Sequence, residues 1–196
     1  MPNIKGEDLG KLISASKESL VSLDISFNVA NDINNALMSK IGMCMRLEEI
    51  ILTGCEKISD EGINNLIYGE KGKGKQPEGF PNLITLKVGG LLNVSDQLHQ
   101  IVKRCPLLSF IEANHLERLT DNFLDQIKNY PGQKTVFINL TPNISDEKIK
   151  ELQETTKALK IIRNITKMTD PADDGLRMPI PPASLKVKKP KKPKKK

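Results

Sequence analysis

The chain has 196 residues, enough for one substantial domain, and 38% hydrophobic residues suffice for a core, which 4% aromatics and no Trp leave aliphatic. Of its 30 basic residues eight are the lysines at 186–196, leaving 22 against 24 acids, so the formal charge of +6 belongs to the C-terminal segment. Three cysteines without a C-x-x-C pair, no apolar leader after Met1 and no long apolar run argue against a disulfide framework, a signal peptide and a transmembrane helix, and predict a reduced intracellular protein.

Residues 1–19 place Ile4, Leu9, Leu12 and Ile13 in an amphipathic helix, which is expected to cap the first repeat of the chain. From Leu20 the chain repeats a unit whose clearest copy spans 47–66: Leu47, Ile50, Leu52, Cys55, Ile58, Ser59 and Asp60, then Ile63 and Leu66 on one helical face. A period of 2 followed by one of about 3.6 describes a strand turning into a helix. Leu83, Leu86, Val88, Leu91, Val94, Ser95 and Asp96 hold the same offsets, as do Leu108, Ile111, Ala113, Leu116, Leu119, Thr120 and Asp121. A further copy runs Val136, Ile138, Thr141, Ile144, Ser145 and Asp146, with Gln133 in place of its first Leu. Upstream, Leu20, Leu23, Ile25 and Asn28 give a strand half with Asp32 as a looser signature, and a degraded copy ends at Met168, Thr169 and Asp170.

The aspartates Asp60, Asp96, Asp121, Asp146 and Asp170 are 36, 25, 25 and 24 residues apart, a spacing that marks leucine-rich repeats. One strand and one helix cannot enclose their own apolar residues, so units must stack and share an aliphatic column. The expected fold is α/β: a short leucine-rich-repeat solenoid over 20–170, a ribonuclease-inhibitor-like arc of five to six repeats with a parallel inner sheet and outer helices. Each Ser/Thr-Asp pair falls where a helix starts, the hydroxyl as cap and the acid at the positive end of the dipole.

The segment Cys55-x-x-Ile58-Ser59-Asp60-Glu61-Gly62-Ile63, with Cys105-Pro106-x-Leu108 and Cys44-x-x-Leu47 ahead of two strands, resembles the cysteine-containing subtype of leucine-rich repeat. That subtype occurs in F-box leucine-rich-repeat proteins, in mitotic-exit-antagonist-like proteins and in axonemal regulatory subunits. The resemblance covers roughly 20–170 and implies the fold. Only 19 residues precede Leu20, too few for an F-box, so a ubiquitin-ligase role is expected at most as an adaptor without its own F-box.

The Gly- and Lys-rich stretch 68–80 reads as an inserted exposed loop, which accounts for the 36-residue step. Its Gly69-x-x-x-x-Gly74-Lys75 has phosphate-loop spacing but the wrong surroundings: a helix precedes it, and Gln76 and Pro77 come after it. Residues 171–196 read as a disordered tail rich in Pro and Lys, with Pro-x-x-Pro spacing at 179–182.

No chemistry announces itself. His99 and His115 lack ligand-spaced neighbours, Cys55 fits a packing position, and no nucleophile motif appears, so neither metal, cofactor nor catalysis is expected. Function is expected on the concave face, where strand alternation points Glu49, Ile51, Thr53, Lys87, Phe110, Glu112, Phe137 and Asn139 outward, with Ile51, Phe110 and Phe137 as apolar anchors for a protein partner. Packing of these three against local structure is the competing reading. Lys186, Lys188, Lys189, Lys191, Lys192, Lys194, Lys195 and Lys196 are expected to meet an acidic polymer, tubulin tails or nucleic acid, with a membrane face or a nuclear-localisation role as rivals. The functional expectation is a non-catalytic scaffold subunit of a larger complex, cytoplasmic and by resemblance cytoskeletal or axonemal; the alternatives are the adaptor and a nucleic-acid-associated factor.

Overall fold

In the computed structural model, residues 5–28, 33–69 and 79–164 are described. Asp32, residues 70–78 of the 68–80 insertion, Asp170, the Pro-x-x-Pro stretch and the C-terminal lysines lie outside them. Six strands form one parallel sheet in strict chain order: β1 (Ser22–Asp24), β2 (Glu49–Ile51), β3 (Thr85–Lys87), β4 (Phe110–Glu112), β5 (Lys134–Phe137) and β6 (Leu159–Ile162). Helices alternate with them: α1 (Gly6–Ser16), α2 (Asn35–Ile41), α3 (Asp60–Tyr68), α4 (His99–Arg104, entered through a 3-10 turn at Asp96–Leu98), α5 (Asp121–Ile127) and α6 (Asp146–Thr155). This is the expected α/β repeat solenoid.

The aliphatic ladder sets the register. Leu23, Ile50, Leu86, Ile111, Val136 and Ile161 face one another across successive strands and are all buried. At roughly 1.5–3 kcal/mol per buried large aliphatic, this row and the one after it dominate stability. The second row, Ile25, Leu52, Val88, Ala113 and Ile138, is buried too, and its backbone N–H groups donate to carbonyls of the following repeat at 2.8–3.1 Å. Beyond it the chain turns in a left-handed conformation in each of the first five repeats, at Phe27, Gly54, Gly90, His115 and Leu140, with φ between 54° and 75°. Glycine adopts this without strain; the other three carry about 1–2 kcal/mol each. The turn lets the amides of Phe27, Gly54, Gly90 and His115 donate to the next repeat at 2.7–2.9 Å.

The signature aspartates do more than face a helix dipole. Asp60 accepts from the Ser95 N–H and hydroxyl, both at 2.7 Å; Asp96 accepts from the Thr120 N–H at 2.8 Å and hydroxyl at 2.6 Å; Asp121 accepts from the Ser145 N–H and hydroxyl at 2.7 Å. Each carboxylate therefore clamps the cap residue of the next repeat. The hydroxyl, having given its proton to the carboxylate, accepts a helix N–H at Ser95, Thr120 and Ser145, as expected. Ser59 is the exception and makes no such cap. Its hydroxyl accepts from the Asn35 side-chain amide at 2.9 Å, while its N–H donates to Asn35 Oδ1 at 2.9 Å. Asn35 thus fills in the first repeat the place sought at Asp32. Gly62 gives it room, since a Cβ there would stand 2.5 Å from Asn35 Oδ1.

At the N-terminal end α1 packs on α2 and buries Leu9 and Ile13, whereas Leu12 is exposed. At the last described repeat Arg163 stands in for a further cap residue: it donates to Asp146 Oδ1 at 2.8 Å and to the Thr141 carbonyl at 2.5 Å. The flanks of the insertion belong to the solenoid. Tyr68 closes α3, its hydroxyl 3.2 Å from Arg104 Nε, and Phe80 is fully buried.

Candidate functional site

Strand alternation leaves one sheet face turned away from the helices, and the pairing fixes which residues share it. One row runs Ser22, Glu49, Thr85, Phe110, Thr135 and Lys160; the next runs Asp24, Ile51, Lys87, Glu112, Phe137 and Ile162. Thr53 and Asn139 stand two residues beyond Ile51 and Phe137. Glu49, Ile51, Thr53, Lys87, Phe110, Glu112, Phe137 and Asn139 are all half-buried, between the sealed core row and free solvent.

The apolar anchors are not equivalent. Phe110 and Phe137 sit diagonally on neighbouring strands with ring centroids 5.1 Å apart and planes at 36°. That tilted contact suits the ring quadrupoles and makes one apolar surface of two residues. Ile162 lies beside Phe137 in register and extends it. The sequence-based expectation has a degraded last copy here but names none of its strand residues, although a 25-residue step from Val136 lands on Ile161. Ile51 stands apart, three strand spacings from Phe137, about 14 Å at ordinary spacing.

Polar neighbours complete the face. Lys87 Nζ lies 6.0 Å from the Phe110 ring centre, within cation–π range. Glu112 accepts from Asn114 Nδ2 at 3.1 Å, Glu49 from the Ser22 hydroxyl at 2.9 Å, and Asp24 from the Ser26 N–H at 2.9 Å. Asn114 Oδ1 also takes the Asn139 N–H at 2.7 Å, tying β4 to β5 beside the aromatic pair.

No protein-family model matches the chain. Among solved structures it is similar to a chain of the "Rad7 and Elc1 complex in yeast", with 16% identity and a TM-score of 0.49 over 85% of this chain and 56% of that one. This chain thus spans little more than half the length of its structural neighbour.

The three thiols are held in packing positions. Cys44, Cys55 and Cys105 are buried free thiols, and burial pushes both Cys55 and Cys105 up to about 11. A thiol so raised is a poor nucleophile at neutral pH. Cys55 Sγ points at the Ile25 carbonyl, 3.2 Å away in the preceding repeat. His99 is engaged within its own turn, Nδ1 2.6 Å from the Asp96 carbonyl, and His115 occupies a left-handed turn. Among the described residues no cluster of His, Cys, Asp or Glu has the makings of a metal site, and no helix is long and apolar enough to cross a membrane. A polar groove between α2 and α3 is lined by Asn34, Asn35, Lys57, Glu61 and Asn65, in which Asn35 already donates to Glu61 and accepts from Asn65.

Buried Lys134 likewise escapes a reading by residue type. It follows Gln133, which holds the place of the missing leucine, and sets its ammonium among the carbonyls of Tyr130, Pro131 and Gly132. Burial lowers its pKa.

Proposed function

We propose that this protein is a non-catalytic binding scaffold whose open sheet face grips a protein partner. The observation that carries the reading is the Phe110–Phe137 pair: two large rings left half-buried on a regular face with polar residues around them. Aromatic anchors of this kind dominate binding energy at protein interfaces, because they bury much area at little conformational cost.

The eight lysines at 186–196 supply a second contact, to an acidic polymer such as tubulin tails or nucleic acid. Without interleaved aromatics that contact is electrostatic and independent of sequence. It should weaken steeply with salt, whereas the sheet-face contact should not.

The test is a photo-cross-linking amino acid placed at Phe137, with Lys150 on the exposed side of α6 as control. Discrete adducts from position 137, absent from position 150 and suppressed by Phe110→Ala, support the reading. Equal adduct patterns at both positions would overturn it.

A further inference from the structure

Beyond a partner of some kind, the charge pattern of the open face says what kind. We propose that it seats an extended protein segment carrying an aromatic or large aliphatic anchor with lysine or arginine side chains to one side. This rests on the protein-binding reading above and specifies its ligand.

The face is divided. Phe110, Phe137 and Ile162 gather on β4, β5 and β6, while the carboxylates Asp24, Glu49 and Glu112 lie on β1, β2 and β4. Among the described residues none of the three carboxylates is in an ion pair; each accepts one hydrogen bond from a neutral donor, Ser26, Ser22 or Asn114. Lys87, which faces Glu112 in register, leans over Phe110 instead. The face carries a second cation, the exposed Lys160, but it stands on β6, two strands from Glu112 and four from Glu49; among the described residues neither lysine pairs with the carboxylates, which are left to an incoming ligand.

An acidic segment laid across this surface would place like charges beside the half-buried Glu49 and Glu112 and the exposed Asp24. A basic one supplies the missing counter-charges, and complementarity of this sort sets partner choice more than raw affinity. The dimensions fix the spacing. Glu112 adjoins the anchor, and Glu49 lies two strand spacings from Phe110 and three, plus a two-residue offset, from Phe137, roughly 10–16 Å, so an extended ligand at ~3.3 Å per residue carries its second cation about four residues from its anchor.

The experiment uses the full chain and three labelled synthetic peptides read by fluorescence anisotropy. One has a Leu-Phe anchor with lysines one and four residues away, one has the same anchor with glutamates, and one has the lysines without the anchor. The first should bind and lose roughly tenfold or more in affinity against Glu49→Gln/Glu112→Gln, and similarly against Phe110→Ala/Phe137→Ala. Cooperative thermal melts establish that these variants fold.

Equal or tighter binding of the glutamate peptide overturns the proposed chemistry; if Phe110→Ala/Phe137→Ala still abolishes it, the protein-binding reading stands. Equal binding of the anchorless peptide overturns the anchor. Binding of no peptide, or binding indifferent to both double variants, overturns the proposal. Self-association seen by sedimentation and lost on Phe110→Ala/Phe137→Ala would assign the face to a second copy, again overturning it.

Discussion

Replacing Asp96 by Ala removes the middle clamp of the solenoid. The carboxylate receives the Thr120 N–H at 2.8 Å, the Thr120 hydroxyl at 2.6 Å and Asn122 Nδ2 at 3.2 Å, joining one repeat to the next. Hydrogen bonds to a charged acceptor contribute about 1.5–3 kcal/mol, and discounting three of them for partial exposure gives a loss of roughly 2–4 kcal/mol for Asp96→Ala. At 2–4 °C per kcal/mol for a domain of this size, the midpoint falls by about 5–15 °C. Asp96→Asn should cost less than half as much. Its Oδ1 still takes the Thr120 N–H and its amide donates to the hydroxyl, the arrangement that Asn35 makes with Ser59. The assay is urea unfolding of both variants and of Asp96→Ala combined with Thr120→Val, with the slope of the transition held equal. Losses under about 0.5 kcal/mol, equal losses for Ala and Asn, or strict additivity with Thr120→Val would refute the clamp.

Further expectations concern the turns, the buried lysine and the thiols. Gly90→Ala should cost about 1–2 kcal/mol by urea unfolding, purely from its φ of 74°, because the added Cβ meets Gly54 at an ordinary 3.6 Å. Lys134→Met should cost roughly 1–3 kcal/mol at neutral pH by leaving three carbonyls without a donor. Since the folded-state pKa of Lys134 lies below its ordinary 10.5, the unfolded chain binds more protons between the two values. Wild-type stability should therefore gain on Lys134→Met as pH rises through that window, and stability curves collected from neutral pH to 10.5 check the sign. A thiol reagent at neutral pH should leave Cys44, Cys55 and Cys105 unmodified in the native protein and label all three in urea.

Much of this architecture is legible in the sequence because one offset pattern carries both the ladder and the helix starts. Ile50, Leu86, Ile111 and Val136 fall into register as their spacing requires, and the outward rows come from alternation alone. What escapes reading is what depends on atoms that meet across repeats. An Asn at position 35 looks like loop composition until its amide is seen on Ser59, although it lies 25 residues before Asp60, one repeat length. Two glycines disclose the left-handed turn at Gly54 and Gly90, but His115 and Leu140 disguise its recurrence. Lys134 reads as polar, and its burial depends on carbonyls supplied by its own preceding loop. In the candidate site, composition suggests three equivalent apolar anchors, whereas strand position joins Phe110 and Phe137, adds Ile162 and isolates Ile51.

The central claim is that the sheet face around Phe110 and Phe137 holds a partner protein. Its most direct test is the affinity of the partner cross-linked at position 137, measured by calorimetry against wild type and Phe110→Ala/Phe137→Ala. The expected result is a fall of roughly 30-fold or more, the loss of about 2 kcal/mol that follows truncation of anchors of this kind, in a variant that still unfolds cooperatively with a midpoint lowered by the loss of the ring pair. An unchanged affinity in a folded double variant would contradict it.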